Sequence, residues 1–385
     1  MGLIWWALPS ILSARGINLE AIASLSALLT LPWVFKFLMG PVMDLAVAKG
    51  WRLRFFVTAC QIMMGVFLLA LLPLDWATDY RLFTLALFLH GCFAATQDVA
   101  IDALALRIVP ADELGPINGW MQTGMLGGRA IAAASVVTLV GLGQQQLAVL
   151  FVLALIWLPM LALHWARPDE RIGADEFTAL SPNRIEWKYF INGIFFLGLF
   201  IALTVGAGFE FFTISVGPLL QELGGSQEQL TLLFGLAAPI GLAAGALTGG
   251  YFCARYNARA ASLTGIILVG LSITLLSSLI LTINTLSPTM WLVPIVLVYI
   301  TTGFLTAATY TLLMQLAQGK YAATRFAIFM SATNGCEVWI SFLGGKLTTS
   351  YSHAAVMLIL APISLLAAPA LLYLHRKEDN QVRAA

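Results

Sequence analysis

The sequence predicts an all-helical membrane protein of twelve spans, arranged as two repeated sets of six, and three observations carry that prediction. Of its 385 residues 60% are hydrophobic and 10% charged, whereas a soluble domain carries roughly a quarter charged residues. Apolar segments of about 20 residues, the length that crosses a ~30 Å hydrocarbon core as a helix, recur along the chain with short polar breaks. The stretch Gly40-Pro-Val-Met-Asp44 is matched in spacing by Gly250-Tyr-Phe-Cys-Ala254, 210 residues later. Strands of a membrane barrel would instead alternate over about ten residues, so a barrel is disfavoured.

Taken in order, the spans fall at 2–13, 19–43, 53–74, 80–107, 113–141, 146–166, 188–220, 227–253, 260–283, 289–317, 323–347 and 353–374. The first, about 12 apolar residues, reaches only ~18 Å at 1.5 Å per residue. It is expected to be a half-helix or the truncated remainder of a longer one. Its opening, MGLIWWALPS, has no basic region and no small-residue cleavage site, so it is not read as a signal peptide. The longest polar stretch, 166–188, divides the chain into an N-terminal half (1–166), a linker (167–187) and a C-terminal half (188–385) ending in a short tail. Fifteen of the 20 basic residues, Lys49, Arg52, Arg54 and Arg107 among them, fall on the even-numbered connections and the tail. The other side has Arg15, Arg81 and Lys346. Because cytoplasmic loops hold excess Lys and Arg, the tail is expected in the cytoplasm. Such six-helix repeats are how many secondary transporters are built, with the solute held near the midplane where the repeats meet.

The net charge of +1 excludes a nucleic-acid surface of the usual basic kind. Cys60, Cys92, Cys253 and Cys336 lie inside apolar segments without metal-ligand spacing and read as small core residues. No phosphate-cradling G-x-x-x-x-G-K-[ST], no H-E-x-x-H and no G-x-S-x-G occurs. An enzyme or an ATP-driven pump is therefore not expected, nor a bound metal or cofactor. The partners expected are a small-molecule solute and the bilayer, with the chain acting as a monomer.

The motif Gly40-Pro-Val-Met-Asp44, followed by Lys49, Arg52 and Arg54, resembles the G-x-x-x-D-R-x-G-R-R signature of the major facilitator superfamily. It departs from that signature at Leu45, where an Arg is usual, and the second copy has Ala254 in place of the acid. FKFLMGPVMD (35–44), ATQDVAID (95–102) and, more loosely, ATRFAIFMSATNGCEV (323–338) are similar to the branch of muropeptide permeases and related siderophore permeases of bacterial inner membranes. The specific match spans about residues 8 to 130. ALPSILSARGINLEAIASLSALLTLPW (7–33) looks slightly closer to the siderophore-uptake members. The resemblance implies a twelve-helix major facilitator fold and a secondary active transporter of the inner membrane. Its expected solute is a ferric siderophore, with anhydromuropeptide as the alternative; a membrane-embedded enzyme or sensor ranks below both.

Ionisable residues at membrane depth mark candidate sites, since each must be paired, hydrated or neutralised to be tolerated. Lys36 either snorkels toward the interface or pairs with Asp98 or Asp102, which share one face of span four at i, i+4. Two like carboxylates need a cation or a proton beside them. Asp98 is therefore a proton-coupling candidate, whereas Asp102 reads first as a structural clip to Arg52 or Arg54. With Asp44, these residues form the expected gating and structural ion pairs. Arg129, just past mid-membrane in span five, suits an anionic solute group because a guanidinium cannot lose its proton. Glu337, at similar depth in span eleven where relatives tend to be basic, is a candidate for solute or proton. Glu210 in span seven reads as a proton acceptor or a rim residue. Gln97, Thr306 and Tyr310 complete the expected solute contacts. Gly241, Gly245 and Gly249, like Gly124 and Gly128, have the small-xxx-small spacing of closely packed helices, and His90 reads as structural.

Overall fold

The computed structural model describes residues 1–14, 16, 19–76, 78–166, 186–283 and 287–374. Most of the expected linker and the whole tail after 374 lie outside the described residues, as does the side chain of Trp6. Among the described residues there is no strand. Ten helices are long and apolar enough to cross a membrane, and two shorter apolar ones, Gly2–Leu12 and Leu53–Leu69, occupy the first and third expected positions.

The helices are α1 (Leu8–Ala14, preceded by a π turn), α2 (Leu19–Val34), α3 (Met39–Ala48), α4 (Leu53–Leu69), α5 (Tyr80–Ile108), α6 (Leu114–Gly141) and α7 (Gln145–Ala166). After the linker come α8 (Gly193–Thr204), α9 (Ala207–Glu222), α10 (Gln227–Leu232), α11 (Ala238–Arg255), α12 (Ala258–Thr282), α13 (Pro288–Ala317), α14 (Ala322–Leu347) and α15 (His353–Leu360). Every expected span is occupied by helix, but four are interrupted. Span two breaks into a 3-10 turn at Lys36–Leu38. Pro41 accounts for this: its ring cannot pack against the carbonyl four residues back, at Phe37, and it has no N–H to offer that carbonyl. Span seven breaks at Val205–Gly206, span eight passes through a π turn at Leu233–Ala237, and span twelve continues as a 3-10 stretch at Ala361–Ala367.

The chain forms two compact units. The first comprises Met1–Ile108, Gly128–Trp187 and Gln318–Ser331, and the second Val109–Gly127, Lys188–Ala317 and Ala332–Ala385. In the first, α4 and α5 pack along their length with α7 and α2 beside them. Its core gathers Ile4, Leu29, Trp33, Leu68, Trp76 and Phe83. His90 is buried in that core, and its Nδ1–H donates to the Met64 carbonyl at 3.0 Å, a structural role as read from the sequence. Replacing His90 with Leu is expected to lower stability by about 1 kcal/mol, the net worth of one internal hydrogen bond. The check is the thermal unfolding midpoint in detergent, with solute transport retained.

In the second unit α11 lies against α13. A Cβ on Gly245 would strike the Ile300 carbonyl, one on Gly249 would strike the Phe304 backbone, and Gly303 packs in the same way on the Leu242 carbonyl. The four-residue glycine spacing therefore does bring two backbones together. Gly124 and Gly128 do not follow suit, because no atom lies within 4 Å of where their Cβ would stand. The core of this unit holds Phe211, Phe212, Trp291, Ile295 and Tyr299, with the Phe212 and Tyr299 rings edge to face at 5.1 Å.

Candidate functional site

In the first unit the interrupted second span sets the geometry. Because the helix yields to a 3-10 turn at Lys36, that side chain is directed at α5 and is 4% exposed. Its Nζ donates to Asp98 Oδ2 at 2.8 Å, and Asp98 is 33% exposed. Asp102, one turn further along the same face of α5, lies within electrostatic reach of both. Lys36 is thus ion-paired across the helix interface. A buried ammonium in hydrocarbon is tolerated when a carboxylate and hydrogen bonds replace its water.

Two expected ion pairs are absent. Asp102 makes no salt bridge to Arg52 or Arg54 among the described residues: Arg52 is the exposed N-cap residue of α4, while Asp102 shares its helix face with Asp98, within electrostatic reach of Lys36. Asp44 is likewise no ion-pair partner. Its Oδ1 accepts the Ala323 N–H at 3.2 Å, and its Oδ2 accepts the Thr324 N–H at 2.9 Å and the Thr324 hydroxyl at 2.5 Å. The carboxylate caps the N-terminus of α14, where unpaired N–H groups and the positive end of the helix dipole favour an anion. Gly40 is what permits this approach, since a Cβ there would stand 2.6 Å from the Thr324 Cα. The spacing of the motif is then physical: the glycine admits the helix end, and the acid one turn later accepts its free donors. The turn delivering that end is tight, with Gly319 at φ +93° and Tyr321 at φ +60°. It is tied down by Lys320 Nζ on Glu186 Oε1 at 3.0 Å and by the Glu186 N–H donating to the Tyr321 hydroxyl at 3.2 Å.

The second copy of the motif, in the second unit, shows the same approach without the charge. Gly250 lies against the Gly115 carbonyl, and a Cβ on Gly115 would stand 2.6 Å from the Cys253 Cβ. The offset of 210 residues that separates Gly40 from Gly250 also separates Gly115 from Arg325, next to Thr324. The internal repeat thus extends to the contacts as well as the spacing.

Arg129, also in the first unit, places its guanidinium 4.7 Å from the centre of the Trp5 ring, and its Nη2 donates to Met1 Sδ at 2.9 Å. Trp5 in turn meets Trp33 edge to face at 5.2 Å. Trp5, Trp33 and Arg129 are each conspicuous in the sequence, but nothing in their spacing pairs them. Only the fold brings positions 5, 33 and 129 together. Gln97, in the same unit, is half-buried.

Of the remaining candidates, Thr306 donates to its own helix at Thr302 O, 2.9 Å away, so its proton is already committed; Tyr310, one turn on, is half-buried. Glu210 occupies the first turn of α9, just past the break in span seven, and its carboxylate feels the charge of Glu337 on α14. The break is held from span twelve by Ser364, whose hydroxyl accepts the Gly208 N–H at 2.8 Å.

The Major Facilitator Superfamily model matches residues 1–241 and, overlapping, 199–385. The chain is 24% identical over 370 residues to the Rickettsia prowazekii (strain Madrid E) protein named AmpG 1, covering 82% of each. It is also 24% identical to the Rickettsia bellii (strain RML369-C) protein of the same name, covering 96% of this chain and 92% of the relative. Among solved structures it is similar to the proton:xylose symporter XylE bound to 6-bromo-6-deoxy-D-glucose, with a TM-score of 0.73, 11% identity and coverage of 97% and 93%. A bacterial homologue of the iron transporter ferroportin in its outward-facing state gives 0.68 at 16% identity, covering 94% and 92%. At these identities the solved structures speak for the fold.

Proposed function

Since the chain belongs to the Major Facilitator Superfamily of secondary transporters, we propose that it imports an anhydromuropeptide, an anionic sugar-bearing fragment of cell wall, across a bacterial inner membrane. Import is coupled to protons, and the C-terminus lies in the cytoplasm. The observation that carries this reading is the guanidinium of Arg129 against the Trp5 and Trp33 pair. A fixed cation beside the half-buried Trp5 ring, which rests on the buried Trp33, suits a solute with a carboxylate and the apolar face of a sugar ring. The AmpG-named relatives favour the same branch over the siderophore permeases, so the siderophore reading, first on sequence grounds, becomes the second here.

Proteoliposomes decide between them. Labelled anhydromuropeptide is expected to accumulate and to be released by a protonophore, while a labelled ferric siderophore stays outside. The reverse result overturns the proposal. Within it, Arg129→Gln is expected to raise the apparent KM about ten- to a hundredfold, the loss of one charged hydrogen bond of about 1.5–3 kcal/mol. Wild-type kinetics in that variant would remove Arg129 from the solute site.

A further inference from the structure

We propose that Asp102 is the group that takes up and releases the proton moved with the solute, with the Lys36–Asp98 pair as the fixed counter-charge beside it. The inference rests on the carrier reading above, although not on the identity of the solute.

The charge count of the cluster leads to it. Asp98 and Asp102 share one face of α5, and a single ammonium, Lys36, serves both. Lys36 is almost wholly buried and spends a hydrogen bond on Asp98 Oδ2 at 2.8 Å. Asp102 receives no hydrogen bond from any described residue. With both acids ionised, the cluster carries one net negative charge in a membrane span; one proton on Asp102 makes it neutral.

Among the described residues of the neighbouring elements, no salt bridge to Asp102 is seen. Those packed against α5 are α2, the 3-10 turn, α3 and α4. The turn brings Lys36. Asp44 on α3 is committed to the end of α14, and Lys49 follows that helix. On α4 neither Arg52 nor Arg54 forms a salt bridge to Asp102. On α5 itself His90 gives its Nδ1–H to Met64, and Arg107 lies five residues beyond Asp102. Among the described residues, Asp98 and Lys36 are the charged groups within electrostatic reach of its carboxyl.

The step is a plain proton transfer. An O–H bond forms on the Asp102 carboxylate as proton and solute load, and the cluster is then neutral. When water reaches the cluster the ionised form regains hydration, the O–H bond breaks and the proton passes to water. Lys36 keeps its proton throughout. The placement suits such timing: the turn that carries Lys36 runs straight into α3, whose Gly40 and Asp44 hold the end of α14. Opening that contact is what would admit water.

The test uses the full chain in liposomes, with Asp102→Asn, Asp102→Glu and Asp98→Glu. Infrared difference spectra across pH should show a titrating protonated-carboxyl band in the wild type and in Asp98→Glu, displaced in Asp102→Glu and missing in Asp102→Asn. With labelled anhydromuropeptide, proton-driven accumulation should fall about tenfold or more in Asp102→Asn while solute exchange without a gradient survives, and Asp102→Glu should restore accumulation; a loss confined to the driven step separates coupling from binding. A titrating band that persists in Asp102→Asn, or exchange and accumulation lost together and not restored by Asp102→Glu, overturns the proposal. Absence of any anhydromuropeptide flux in the wild type sinks the solute reading instead, and the infrared band alone then decides the proton site.

Discussion

Lys36→Ala is expected to destabilise the protein by about 3 kcal/mol, the lower end of the cost of breaking a buried ion pair, because it removes the ammonium and leaves Asp98 charged in a membrane span. The lower end applies because Asp98 is one-third exposed and recovers some water. Asp98→Ala alone leaves the ammonium, at 4% exposure, with Asp102 as its remaining counter-charge, and should cost less than Lys36→Ala. The double variant, with neither charge, should recover most of the loss, since replacing a buried pair by apolar groups is often close to neutral. A double-mutant cycle on the thermal unfolding of detergent-solubilised protein measures the coupling directly. Strictly additive losses would mean that the ammonium is stabilised elsewhere, and the account of Lys36 would fail.

Gly40→Val attacks the other end of the same segment and is expected to abolish uptake. A Cβ at position 40 would stand 2.6 Å from the Thr324 Cα and 3.1 Å from the Ala323 carbonyl oxygen. These are backbone atoms at the start of a helix, so the helix end itself must retreat. Retreat breaks all three hydrogen bonds to Asp44, costing about 1–3 kcal/mol for each buried donor left unpaired. Asp44→Asn keeps one carbonyl acceptor but puts an NH2, which cannot accept, where the other oxygen stood, so at least one helix-end N–H loses its partner and the cost should be about 1–3 kcal/mol. Hydrogen exchange at the amides of Ala323 and Thr324 is the check. Protection should vanish in Gly40→Val and weaken in Asp44→Asn, and if both amides stay as protected as in the wild type the contact has been misread.

These two predictions show where the sequence was legible. Pairing of Lys36 with an acid of span four could be read from a lone ammonium in hydrocarbon and two acids at i, i+4, since the cost of an uncompensated charge leaves few alternatives. The partner of Asp44 could not be read. It is a pair of backbone amides nearly 280 residues away, and amides look alike at every position of a sequence. Grouping Asp44 with the ion pairs therefore expects a charge where the fold supplies a helix end. The break at Lys36–Leu38 did leave a signal in Pro41, and the glycines of α11 left theirs in a four-residue spacing. Gly124 and Gly128 carried the same spacing without a neighbour, which marks the limit of that pattern: it says that a helix can be approached closely, not that it is.

By itself the sequence determined the solvent of this protein, the number and order of its spans, the repeat between its halves and the family whose motif it carries. All of these follow from local hydrophobic length and from spacing along the chain, which lipid imposes residue by residue. The tertiary structure alone decided that Asp44 holds a helix rather than a basic side chain, that among the described residues Asp102 makes no salt bridge to Arg52 or Arg54, and that Arg129 meets Trp5 and Trp33. Those are contacts between distant positions, fixed by how helices pack, and no local property of the chain encodes which helix end or ring a given side chain will reach.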